Sequence, residues 1–169
     1  ILIILYLVLC DYCVCDVYNG ITLFSNVSGQ SHTYLINNNY NLINIWVHSS
    51  RIVGTPYLSI DRSIMVQLRS GTHYFGNSHG PIGGRFNRID WDGSLLWDFS
   101  YHDYTYHPHH DFEPLPNGNI LVLCWEKKTA QQAQDLGRMD IINEMWPLKI
   151  VEIEPIGQDS AEVVWEWHI

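Results

Sequence analysis

Four of the nine histidines, His102, His107, His109 and His110, crowd into the segment YHDYTYHPHHDFE at 101–113. An imidazole titrates near neutral pH, so it can serve as nucleophile, base or acid. A carboxylate beside it, as Asp111 is here, can fix its tautomer and stabilise the imidazolium. Histidine, aspartate and glutamate are also metal-ligand types. A surface segment of hydrogen-bonded imidazoles is the plain alternative. Residue types alone leave catalysis and metal binding level.

The elements that carry this segment show as internal repeats. Three segments share one pattern of strand, polar turn and apolar strand ending near a tryptophan: YLINNNYNLINIWV (34–47), RIDWDGSLLWDF (88–99) and IVEIEPIGQDSAEVVWEW (150–167). The tryptophans are Trp46, Trp97, and Trp165 with Trp167. Asp92-Gly93 is a favoured two-residue hairpin turn. A second pattern alternates with the first: TPYLSIDRSIMVQL (55–68) and DFEPLPNGNILVL (111–123) each join a short strand to an apolar strand, through Asp61-Arg62 and Asn117-Gly118.

One unit of each kind makes four strands in roughly 50 residues, the size of a propeller blade. The fold expected is all-β, a partial β-propeller of about two and a half four-stranded blades. Residues 54–101 form one blade, 107–168 another with an insertion, and 20–48 a partial one. The insertion holds the only helical stretch, TAQQAQDL (129–136), with Gly137 as its C-cap. It reads equally as a lid and as a surface decoration.

Two copies of one unit act as an internal control. With Ile120 set on Ile64, Asp111 falls on Thr55, His110 on Gly54 and His109 on Val53. The scaffold does not need histidine there, because the sister unit lacks it. In a propeller this segment enters the innermost strand, which lines the channel. Adjacent side chains on a strand point to opposite faces, so only one of His109 and His110 faces a given site unless the backbone bulges.

Composition bounds the rest. The 169 residues are 46% hydrophobic, 13% aromatic and 16% charged, which excludes a disordered chain and a coiled coil. Net charge is −9 with no basic stripe, so no nucleic-acid partner is expected. The apolar run ILIILYLVL (1–9) is too short for a membrane span and fits the h-region of a signal peptide. Residues 1–15 read as a truncated signal peptide, cleaved after Cys13-Val14-Cys15, and 16–169 as the N-terminal part of a propeller domain. Of the four cysteines only Cys124 lies beyond that run, in an apolar strand where a buried thiol is expected. Asn26-Val27-Ser28 is a glycosylation sequon of low specificity.

The stretch from 83 to 167 resembles bacterial aryl-sulfate sulfotransferases. GGRFNRIDWDGSLLWDF (83–99) is similar to the family's strand pair before the site. HHDFEPLPNGNILVLCWEKKT (109–129) is similar to its signature, in which His-Asp is followed by Pro-Asn-Gly-Asn and an apolar strand. AQDLGR (133–138), LKIVEIEP and VVWEWH continue the likeness, and ITLFSNVSGQSHTYLINNNYNLINIW resembles the family's first strands. The resemblance implies an exported, six-bladed propeller, periplasmic or secreted. It implies sulfuryl transfer from an aryl sulfate to a phenol, independent of the nucleotide donor PAPS, through a sulfated histidine. Such chemistry needs a nucleophile, cationic or hydrogen-bonding clamps for the oxygens and an acid for the leaving phenolate.

On this resemblance His110, with His109 and Asp111, belongs to the catalytic site. His110 would contact sulfate or assist proton transfer, with the nucleophile expected in a later blade and the chain by itself inactive. Arg138 enters by position alone as a substrate contact. The partners implied are a small-molecule aryl sulfate and a phenol, with a homodimer as a further expectation and no cofactor. The rival readings are a non-catalytic ligand- or protein-binding propeller and a metal site in the histidine cluster. His79-Gly80-Pro81-Ile82-Gly83-Gly84-Arg85 lacks the Lys-Ser/Thr ending and helix of a phosphate loop and reads as a turn-rich connection.

Overall fold

The computed structural model describes residues 17–26, 31–71 and 82–169. The signal segment 1–15 with Cys10, Cys13 and Cys15, the sequon residues Val27 and Ser28, and the stretch 79–81 lie outside the described residues.

The described chain is β throughout apart from one short helix, as the alternation of apolar and polar residues requires. β1 (Ile21–Ser25), β2 (His32–Asn37) and β3 (Leu42–Val47) form a three-stranded sheet in the order β1-β2-β3. β4 (Ile52–Leu58), β5 (Ile64–Arg69), β6 (Gly84–Ile89) and β7 (Leu95–Ser100) form a four-stranded sheet in chain order. β8 (Tyr106–Pro114) and β9 (Ile120–Glu126) start the last sheet. An excursion follows, with β10 (Lys128–Thr129), α1 (Ala130–Asp135) and β11 (Glu144–Met145), before β12 (Leu148–Ile156) and β13 (Ser160–His168) complete it. All pairings are antiparallel, and the order β8-β9-β12-β13 repeats that of the second sheet. This is the partial propeller expected from the repeats, one incomplete and two complete four-stranded units.

Turn chemistry sets the hairpins. The Asp92, Asp61 and Asn117 side chains each accept the backbone N–H two residues on, from Ser94, Ser63 and Asn119. The residue between is left-handed in every case: Gly93 (φ 91°), Gly118 (φ 92°) and Arg62 (φ 69°). Only glycine adopts that backbone without a steric cost, so Arg62 carries strain that its repeat equivalent Gly118 avoids.

Each space between sheets holds a core. Leu35 and Trp46 of the first sheet pack with Ile52, Ile64, Val66, Leu68 and Ile89 of the second. Met65, Phe86 and Trp97 of the second pack with Phe112, Ile120, Val122, Cys124, Val151 and Ile153 of the third. Cys124 is the buried free thiol expected. The first strands β4 and β8 adjoin, and so do the last strands β7 and β13.

The helix matches its expected place within a residue at each end. Thr129 is the N-cap, its hydroxyl accepting from Gln132 N–H while the Gln132 side chain accepts from Thr129 N–H. Gly137, at φ 95°, follows the C-cap Leu136. No helix among the described residues is long and apolar enough to cross a membrane.

Candidate functional site

The histidines sit where β8 breaks register with β9. Pro108 pairs with Cys124 and Phe112 with Val122, so four steps along β8 match two along β9. β4 does the same against β5, with Val53 opposite Gln67 and Tyr57 opposite Met65. The bulge is therefore a feature of the repeated unit, of the kind that re-aims side chains. Its left-handed residue is Gly54 in the second sheet, at φ 78°, and His110 in the third, at φ 58°. Aligning the repeats pairs these same two residues.

The bulge removes the restriction that a regular strand imposes on neighbours. His109 and His110 turn to one another, with Nδ1 to Nδ1 at 2.7 Å and the rings edge-on at 88°. One Nδ1 must donate and the other accept. His109 is buried and stacks on Trp125 at 4.2 Å between ring centres, whereas His110 is exposed and meets the same indole edge-on. Burial, reinforced by the neighbouring His110 charge, lowers the His109 pKa to about 4. His109 is thus a neutral imidazole at physiological pH, clamped between Trp125 and His110.

Gly54 makes room for this arrangement. A Cβ there would lie 2.4 Å from the His110 carbonyl oxygen and 3.4 Å from Asp111 Oδ1. Asp111 is exposed and does not hold either imidazole. Its carboxylate and that of Glu113 lie at Tyr57, whose phenol burial and those carboxylates push up from its ordinary pKa. The Nδ1 partner of His110 is His109, so the tautomers of the two rings are coupled.

The remaining two histidines of the segment serve packing. His107 is buried, with Nε2 3.2 Å from Gly83 O and 3.3 Å from Ser70 Oγ. His102 lies 5.3 Å from His107, ring to ring, and packs on Gly84, where a Cβ would meet it at 3.0 Å. Gly83 lies under the Gln67 side chain, donates to Pro108 O and accepts from Ser70 N–H. The glycine pair of the Gly-Gly-Arg stretch is a close-approach backbone seating β8, beside the bridge between Ile82 and His109.

Arg138 lies on the exposed turn after α1. Its guanidinium pairs with Asp140 at 3.3 Å, and its backbone bonds to Ala133 and Ile141, all within the excursion. The structure does not bring it to His109 or His110. The excursion reaches the site through a different residue, Trp146, whose ring lies 6.2 Å from Trp125. Trp125 is the site residue that the reading of motifs missed. The repeat alignment could have found it, because its equivalent in the second sheet is Arg69. Among the described residues no group of three or more His, Cys, Asp or Glu side chains is placed to hold a metal ion.

No known protein-family model matches the chain, and no curated protein matches it.

Proposed function

We propose that the chain contributes to sulfuryl transfer from an aryl sulfate to a phenol, with His110 as the imidazole that meets the sulfuryl group or the phenolic proton. The observation that carries this reading is the His109–His110 pair on the bulge. A strained, exposed histidine occupies a backbone position that the sister sheet fills with glycine, and strain of this kind concentrates at functional sites.

The pair has two neutral arrangements, which differ in the ring that carries the shared Nδ1 proton and, to match it, in the tautomer of both rings. When His110 donates its Nδ1–H to His109, its Nε2 carries a lone pair and can take the proton of an acceptor phenol. When His109 donates instead, His110 Nε2 carries hydrogen and can donate to a sulfuryl oxygen or to the leaving phenolate. His109, neutral and stacked, is the positioning residue for both states. In the overall exchange the donor's ester S–O bond breaks and its phenolate gains a proton, while the acceptor phenol loses one as its oxygen bonds to sulfur. The nucleophile's role stays unassigned among these residues, and export remains part of the same proposal, resting on the apolar run at 1–9.

Titration with p-nitrophenyl sulfate, followed by the imidazole resonances, tests the reading. The His110 Nε2 signal should shift on saturation, and His110→Ala should weaken binding by about tenfold or more, the scale of a lost charge-assisted hydrogen bond. Unchanged binding by His110→Ala removes His110 from the site.

A further inference from the structure

The two complete sheets carry the same charged cluster at the open end of their outer hairpins. With Ile120 set on Ile64, Cys124 falls on Leu68, Trp125 on Arg69 and Glu126 on Ser70. Leu68 pairs with Arg85 and Cys124 with Lys149, so these two cations are equivalent. Across the outer hairpin Ser100 and His168 are equivalent in turn, and so are Asp98 and Glu166. Each cation is ion-paired to the matching carboxylate, Arg85 to Asp98 and Lys149 to Glu166 at 2.8 Å.

The clusters differ in a second carboxylate. In the third sheet Glu126 supplies it, with Oε2 2.8 Å from Lys128 Nζ and 3.0 Å from His168 Nδ1. In the second sheet that position is Ser70, whose hydroxyl lies 3.3 Å from His107 Nε2. Beside it lies a hollow of about 510 Å³, lined by Arg69, Arg85, Asp98, Ser50, Ser100 and His102. This lining sets two guanidiniums against one carboxylate, the opposite sign to the net charge of −9 of the whole chain. Arg85 is anchored rather than loose. Asp98 accepts from its Nε at 2.6 Å and from its Nη2, and Asn87 Nδ2 fixes Asp98 at 2.7 Å. Ser49 Oγ accepts from Nη1 at 3.1 Å. These bonds use three of the five N–H donors of a guanidinium. The Ser50 hydroxyl donates to Arg69 O at 3.0 Å and so holds the β3–β4 connection beside the hollow.

We propose that this hollow binds a small molecule through its carboxylate group, seated between Arg69 and Arg85 where the third sheet carries the carboxylate of Glu126. The volume falls in the range of small-molecule sites, roughly 300–1,000 Å³. A guanidinium matches a carboxylate in shape as well as in charge. One carboxylate balances the excess cation of the lining, whereas a doubly charged sulfate or phosphate would overshoot it. The proposal does not depend on the chemistry at His110.

The chain is titrated with sodium benzoate at constant ionic strength, with chloride as the balancing ion. The Arg69 and Arg85 Nε resonances should shift saturably, with a Kd of about 1 mM or lower. Sodium sulfate in the same series should bind at least about tenfold more weakly. Arg69→Gln removes one cation at an exposed position and should weaken benzoate binding by about tenfold or more. Ser100→Asp, exposed as well, sets a fixed carboxylate across from Arg85 and should weaken it by as much. Near-ultraviolet dichroism checks that both variants are folded. Resonances that move without saturating, or that respond to sulfate as strongly as to benzoate, overturn the proposal. So does wild-type affinity for benzoate in folded Arg69→Gln or Ser100→Asp.

Discussion

His110 holds a left-handed backbone in a residue with a Cβ, and this costs roughly 1–2 kcal/mol. Replacing it with the sister sheet's residue separates scaffold from function. His110→Gly should raise stability by about 1 kcal/mol in a urea titration while p-nitrophenyl sulfate binding weakens by about tenfold or more, as in His110→Ala. A loss of stability would show that the imidazole serves the fold. Gly54 gives the complementary test, because a Cβ there meets the His110 carbonyl at 2.4 Å. Gly93, at φ 91° with nothing within 4 Å of a Cβ, measures backbone strain alone. Gly54→Ala should therefore destabilise by more than the ~1 kcal/mol expected of Gly93→Ala and should move the His110 resonances. Equal effects of the two would mean that Gly54 does not seat the site. Gln67 is fully buried with neither amide atom hydrogen-bonded, at the position where the third sheet has Leu123. Gln67→Met keeps the length and removes the unmet polar atoms, so the urea midpoint should rise, by about 1–3 kcal/mol in stability.

At the scale of elements, local chemistry placed the helix and the hairpins. Thr129 and Gln132 satisfy each other's backbone donors, and Thr129→Ala removes the hydroxyl half of that exchange. It should cost about 1 kcal/mol, read as faster amide exchange at Gln132; unchanged exchange there would mean that the cap does not hold the excursion. The helix was legible because TAQQAQDL lacks β-branched residues after its cap and ends at a glycine. The hairpins were legible because Asp92-Gly93 and Asn117-Gly118 declare their turns. Aligning Ile120 with Ile64 also placed His110 on Gly54, its true structural equivalent. The bulge itself was not legible. It is a mismatch of register between β8 and β9, and register depends on the partner strand. The mutual Nδ1 contact followed from it, and so did the displacement of Asp111 toward Tyr57. β10 and β11, at two residues each, are too short to show a period. Trp125 was passed over because its strand ILVLCW reads as core, although its indole forms the wall of the site.

The whole molecule carries a pH dependence set by histidines held between its sheets. His48 is buried with Nε2 2.8 Å from Thr33 Oγ1, and burial with the adjacent His32 charge lowers its pKa to about 4. His109 is lowered to a similar value. Both imidazoles are neutral in the folded chain, whereas in the unfolded chain they titrate near 6.5. Between these values the unfolded state binds more protons, so stability is full above pH 6.5 and falls as pH drops toward 4. Each histidine contributes a slope of up to about 1.4 kcal/mol per pH unit in that window. The ion-paired carboxylates act later. Asp98 is held below its usual range by the Arg85 guanidinium and by Asn87, so its stabilisation is lost only as pH falls below the ordinary aspartate value. Acid unfolding should therefore proceed in two stages, with histidines first. Urea midpoints measured at pH 7, 5.5 and 4.5 should decrease at each step. The double variant His48→Gln, His109→Gln should flatten that decrease while leaving the second stage below pH 4 in place. A wild-type midpoint that holds constant from pH 6.5 to 4.5 would show that neither imidazole is kept neutral by the packing of the sheets.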